Sequence, residues 1–202
     1  QAFGEGAVVD EDTIVKAIAS FERTLYSTQA PYDRFVAGDI DALTPLQKYG
    51  MLRFDEIGCR SCHTDPTFSS LETGIYRKFP VRPINEYVKK YSFLDDKGRA
   101  EQGDGDPVSG LWRVPSLRNV EHTAPYFHNG AVDTLEEAVR VMASVQLGYD
   151  VEVSGHAVVD VKWDAETQQL SRAGDQSLSQ QDVDALAAFL TSLSLPQPLA
   201  PN

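Results

Sequence analysis

The sequence predicts an all-α domain with long loops and room for one small β-hairpin. Three observations carry that reading. Four apolar stripes recur at helical spacing, each with a recognisable start or stop signal. A long stretch between Thr64 and Val114 shows only weak patterning and is punctuated by proline and glycine. Partial alternation of valines within 149–178 is the one strand-like feature.

The first helix is expected over about Asp12–Tyr26, with Ile14, Ile18, Phe21 and Leu25 on one stripe. The second opens at Thr44, a good N-cap, with Pro45 at the first helical position. It carries Leu46, Tyr49, Leu52, Phe54 and Ile57 and stops at Gly58. The third opens at Thr134 with Glu137 three residues on, the spacing of a capping box. Leu135, Ala138, Met142 and Val145 share its face, and Gly148 ends it. The fourth opens at Ser179 with Asp182 at the third position, and Val183, Leu186, Leu190 and Leu193 form its stripe before Pro196. Pro66, Pro80, Pro83, Pro107 and the Gly103–Gly105 stretch mark loops in the weakly patterned region. A long irregular segment in a compact domain usually has something to wrap around. Val151, Val153, Val158 and Val161 place the short hairpin. We divide the chain into a lead-in (1–12), one domain (13–195) and a tail (196–202).

The 202 residues carry a net charge of −12. Such a surface repels nucleic acid and anionic membranes and steers a basic protein partner. The acidity is concentrated from Asp133 to Asp184, where eleven acids face three bases. No apolar run approaches the ~18 residues needed to span a bilayer. No basic, apolar leader opens the chain. The expectation is a soluble, periplasmic chain whose export signal has been removed.

Both cysteines of the chain fall in one pentapeptide, Cys59-Arg60-Ser61-Cys62-His63. C-x-x-C-H is the attachment signal of a c-type haem. The two thiols add to the haem vinyl groups, and the adjacent histidine is set beneath the iron as proximal ligand. A redox dithiol needs no following histidine and usually accompanies a βαβ pattern, which is missing here. Zinc needs four ligands, and no second cysteine pair exists. The fold class is therefore an all-α, cytochrome c-like domain around one covalent haem. The sixth ligand is open among Met142, Met51, His122, His128 and His156. Met51 lies on the helix entering the attachment site and belongs on the proximal side. Met142 lies on the apolar face of a separate capped helix. A methionine on such a face is also an ordinary core residue, and each histidine serves equally well as a hydrogen-bonded loop residue.

Several stretches resemble the bacterial dihaem cytochrome c peroxidase family, which includes the MauG-type proteins. They are Trp112 to Asn119 (WRVPSLRN), Thr123 to Gly130 (TAPYFHNG), Ala17 to Leu25 (AIASFERTL), Tyr32 to Phe35, Leu43 to Cys62, Leu135 to Gly148 and Asp182 to Ser194. The resemblance runs from about Thr13 to Ser194 and points to the C-terminal, electron-transferring haem domain. It implies His63 and Met142 as axial ligands of a high-potential haem. MauG-type relatives carry tyrosine at the methionine position, so Met142 points to the peroxidase branch. It implies calcium held in part by the backbone carbonyls of Thr123 and Pro125, although the family's asparagine ligand from the other domain has no counterpart here. His128, Arg118 and Trp112 correspond to residues of the haem pocket. The family's catalytic haem sits in an N-terminal domain with its own C-x-x-C-H, and this chain has only one such site.

Two functions follow as expectations. The first is an electron-transfer module with no catalytic residue of its own. It would accept electrons from a small basic cytochrome or similar redox protein and serve a second haem domain or subunit. The second is a stand-alone peroxidase acting at its own iron, which requires an open coordination position and an acid–base group.

Overall fold

Gly50 decides how the two longest core helices meet. In the computed structural model, α3 (Pro45–Glu56) crosses α6 (Gln180–Thr191) at this glycine. A Cβ at position 50 would lie 1.8 Å from the Ala185 carbonyl oxygen and 2.9 Å from the Phe189 Cβ. Only a residue without a side chain permits that approach. The model describes residues 4, 6, 8–24, 29–70, 74–103, 109–153, 156–158, 161–164, 168–172 and 176–195.

Both helices start as the sequence predicts. Thr44 accepts from the Gln47 N–H and Ser179 accepts from the Asp182 N–H, each with the reciprocal bond of a capping box. The two helices are also tied by a polar contact. Buried Asp182 accepts from Tyr49 Oη at 2.9 Å and Arg53 Nε at 2.8 Å, both on α3. Burial opposes ionisation of Asp182. The Ser179 and Tyr49 hydrogen bonds and the Arg53 charge outweigh it, so the carboxyl lies below its ordinary 3.8. A depressed folded-state pKa adds stability above the unfolded value and loses it as pH falls through the folded one. Urea midpoints should therefore hold steady down to about pH 5 and fall below it. Asp182→Asn should lose stability at neutral pH and show a shallower acid limb in the same titration.

The described residues also form the α-helices α1 (Glu11–Glu22), α2 (Pro31–Val36), α4 (Glu86–Lys90) and α5 (Leu135–Val141). The α1 stripe exists as predicted, but none of its residues is buried, and Ile14, Ile18 and Phe21 are each about half exposed. Leu25 lies outside the described residues. The Thr134 cap bonds to the Glu137 N–H, yet Glu137 does not return the bond. Its carboxylate accepts from Tyr91 Oη at 2.6 Å and Lys90 Nζ at 3.0 Å instead. The third predicted helix changes character midway. After Val141 the chain continues as a π-helix over Met142–Leu147 and ends at Gly148.

Among the described residues the domain is mixed: helices dominate, with three small sheets beside them. This corrects the all-α expectation. β1 (Tyr76–Lys78) pairs antiparallel with β2 (Leu111–Arg113). β3 (Asp150–Val153) pairs antiparallel with β4 (His156–Val158) and parallel with β7 (Ser177–Leu178). β5 (Val161–Asp164) pairs antiparallel with β6 (Gln169–Arg172). The predicted hairpin region thus holds two hairpins. β1, α4 and β2 were missed because elements of three to five residues are too short to show a period. The lead-in lies partly, and the tail wholly, outside the described residues. Among the described residues, no helix is long and apolar enough to cross a membrane.

One apolar core joins these parts. Phe54, Phe68, Phe189 and Tyr32 interlock edge to face at one end. In a second cluster Phe79 meets Phe93 edge to face and stacks on Phe127, which also packs against Phe93. Met51, Cys59, Trp112 and Met142 are half-buried against this same core.

Candidate functional site: the Cys59–His63 centre

The α3 helix delivers the pentapeptide. Its ladder ends at Glu56, and Gly58 turns the chain with φ near +100°, a conformation glycine adopts without strain. Cys59–Ser61 then form one 3₁₀ turn, closed by the Cys62 N–H on the Cys59 carbonyl at 3.2 Å. This tight turn keeps the two thiols and His63 in one small region. Arg60 is held away from them by ion pairs to Asp55 and Asp65.

His63 is half-buried, and the backbone at Phe68 and Pro115 both interact with its ring. Nδ1 lies 3.0 Å from the Phe68 carbonyl oxygen, so Nδ1 carries the proton and donates, leaving Nε2 with its lone pair. Burial, the largest influence, pushes the imidazole below its ordinary pKa and favours the neutral form. A neutral ring with an anchored Nδ1–H is the state a metal ligand needs.

The cysteines are both free. Burial pushes the Cys59 thiol up to about 12. A reactive dithiol requires the opposite shift, toward thiolate at neutral pH. Among the described residues no three His, Cys, Asp or Glu side chains form a group able to hold a metal ion. A redox dithiol and a zinc site are thereby both disfavoured. Two free thiols beside a half-buried imidazole fit covalent attachment to a haem.

A second observation supports that fit. The Trp112 and His128 rings stack at 4.0 Å and 17°. Trp112 Nε1 and His128 Nε2 are buried and have no hydrogen-bond partner among the described residues. Buried polar atoms are rarely left unpaired, and two on adjacent rings mark a place where a polar group belongs. Haem carboxylates would supply acceptors for them. Burial also lowers the His128 pKa, with nearby Asp96 opposing it.

The other expected residues fall as follows. Met142 begins the π-helix. Asn85 Nδ2 donates to Ser144 Oγ at 2.8 Å and Arg82 Nη1 donates to the Gln146 carbonyl at 2.7 Å. These contacts hold a segment that α-helical bonding alone would not specify, and π turns often occur at functional sites. Met51 stands on α3, as expected. His122 is exposed, with Nε2 3.0 Å from the Leu195 carbonyl. The side chain of His156 lies outside the described residues. Thr123 Oγ1 donates to the Val120 carbonyl at 3.0 Å, and Thr123 and Pro125 both lie on an exposed stretch. Arg118 does not stand free in a pocket: its guanidinium forks onto Asp33, at 2.7 and 3.0 Å. Sequence reasoning missed Asp33 and the Phe68 carbonyl. The first was visible within the Tyr32–Phe35 stretch but carried no assigned role, and the second is a backbone atom with no sequence signal.

Comparison with known proteins places the chain among relatives. The family model for di-haem cytochrome c peroxidase matches residues 1–41. Cytochrome c551 peroxidase of Pseudomonas aeruginosa is 31% identical over 193 residues, covering 96% of this chain and 46% of that protein. Methylamine utilization protein MauG of Paracoccus denitrificans is 32% identical over 213 residues, covering 95% of this chain and 54% of that protein. A solved MauG-like protein associated with microbial copper homeostasis superposes with a TM-score of 0.61 at 26% identity, covering 95% of this chain and 59% of that one. The chain spans about half the length of the curated relatives it matches. With similarity along nearly its whole length to both peroxidase and MauG proteins, this chain belongs to the di-haem cytochrome c peroxidase and MauG family.

Proposed function

We propose that this chain is an electron-transfer module carrying one covalent haem c, resembling the high-potential half of the dihaem peroxidases. The observation that carries the reading is the Cys59–His63 turn, with His63 Nδ1 fixed to the Phe68 carbonyl and Nε2 left to ligate. When bound, the haem supplies a one-electron iron couple. Cys59 and Cys62 would hold it by thioethers, and His63 and Met142 would be its axial ligands. The Met142 thioether would ligate the iron, keep water and peroxide off it and favour the reduced state. Trp112 and His128 would donate to its carboxylate edge.

The acidic surface suits a small basic donor protein, and speeds its encounter. The uncovered stripe of α1 supports pairing with a second haem domain or subunit, where the family performs its peroxide chemistry. A periplasmic location fits covalent haem attachment and the peroxidase relatives.

The test is intact mass with haem quantitation on protein matured in a cytochrome c-assembling host. One haem per chain should survive denaturation and acid–solvent extraction. Cys59→Ala with Cys62→Ala should release it to the solvent. A wild-type chain without covalent haem would overturn the reading.

A further inference from the structure

Two stretches singled out in the sequence meet in the fold, and neither contact touches the cysteines. Arg118, in the Trp112–Asn119 stretch, forks onto Asp33 in α2, 85 residues away. The same guanidinium donates to the Pro66 carbonyl, from Nε at 2.9 Å and Nη2 at 2.7 Å. It lies over the rings of Phe68 and Tyr32, at 5.2 and 5.8 Å. The side chains of this pair are only 14% and 20% exposed, so solvent screening is weak.

Its target is a turn that needs holding. Phe68 has φ near +52°, a region that side-chain-bearing residues rarely occupy. Neighbours of Arg118 grip the same turn. Ser116 Oγ donates to the Thr67 carbonyl at 2.5 Å, and the Leu117 N–H donates to the Phe68 carbonyl at 3.2 Å. That Phe68 carbonyl is the acceptor for His63 Nδ1–H.

We propose that Arg118, braced by Asp33, is a positioning residue for the axial imidazole, acting through the 66–68 turn. This rests on the haem reading above. A strong Nδ1–H···O=C bond makes the imidazole more electron-rich. An electron-rich ligand stabilises ferric iron and lowers the potential. Loosening the turn therefore raises the potential.

The decisive variant is Arg118→Lys, measured on the haem-loaded chain. It keeps the charge, but a single ammonium cannot bridge Asp33 and the Pro66 carbonyl in the same fork. The midpoint potential should rise. The hyperfine-shifted Nδ1 proton of His63 should exchange with solvent faster, on the order of tenfold. Asp33→Asn leaves an acceptor for the Ala30 N–H, which Asp33 binds at 3.0 Å, and should raise the exchange rate likewise. Asp33→Glu, which keeps the charge pair, should recover most of the wild-type value and serves if Arg118→Lys does not fold. Arg34→Gln removes an exposed charge from the same helix and should move neither reading. A haem-loaded Arg118→Lys protein with unchanged or lowered potential and unchanged exchange would overturn the proposal. Loss of covalent haem from the wild type itself would instead overturn the function on which it rests.

Discussion

Replacing Met142 with alanine is expected to abolish six-coordinate His/Met ligation and lower the midpoint potential. Axial ligands tune haem potentials over a range of roughly 0.8 V, and losing a thioether moves toward its low end. Met142 is half-buried where α5 widens into the π-helix. Val141 and Ala143 on either side are buried in the core. The position is therefore rigid while its side chain still reaches the core's edge. Truncating a half-buried methionine should cost about 2 kcal/mol or less, so the variant should fold and be measurable. The readings are the sulfur-to-iron charge-transfer band of the ferric protein and the potential. Met51→Ala is the matched control, since Met51 packs against the same core from α3. Retention of the band in Met142→Ala with its loss in Met51→Ala would exchange the two assignments. The same variant separates the two functions: an opened coordination position should let peroxide reach the iron. A wild-type protein that already turns over peroxide quickly would favour the stand-alone enzyme.

Gly50→Ala is expected to destabilise the fold strongly, although alanine is the better helix former. In an exposed helix the change would stabilise by about 1 kcal/mol. Here the new methyl would sit 1.8 Å from the Ala185 carbonyl oxygen. The clashing atom is backbone, so no rotamer change relieves it, and trimming Ala185 to glycine does not help either. The helices must move apart, which loosens the ring cluster of Phe54 and Phe189 and the bonds from Tyr49 and Arg53 to Asp182. Overpacking against fixed backbone should give a net loss of roughly 2–4 kcal/mol. That corresponds to a melting point lower by several degrees, at roughly 2–4 °C per kcal/mol for a chain of this size. An unchanged melting temperature would show that α3 and α6 do not cross as closely as described.

The parts legible in the sequence were local. The Thr44 and Ser179 caps are each satisfied within three residues, and they started their helices as expected. The α1 stripe was equally legible, yet its burial was not. Periodicity tells which side chains share a face, while what covers that face depends on another element. The Thr134–Glu137 spacing shows the same limit. The threonine side of the box formed, but Lys90 at the end of α4 and Tyr91 just after it take the glutamate. Beyond the expected hairpin region, the β1–β2 pairing escaped notice because its strands are short and far apart in the chain, as Tyr76 pairs with Arg113.

For the site, the sequence alone determined where the thiols and the imidazole stand together, because they fall at fixed spacing within five residues. It also narrowed the opposite ligand to a few methionines and histidines. Only the tertiary structure decided what orients the imidazole and what surrounds it. The Phe68 carbonyl is chemically identical to every other carbonyl in the chain, and becomes an acceptor for His63 only where the turn places it. The Asp33–Arg118 brace and the Trp112–His128 stack likewise join residues that the chain separates and the fold brings together.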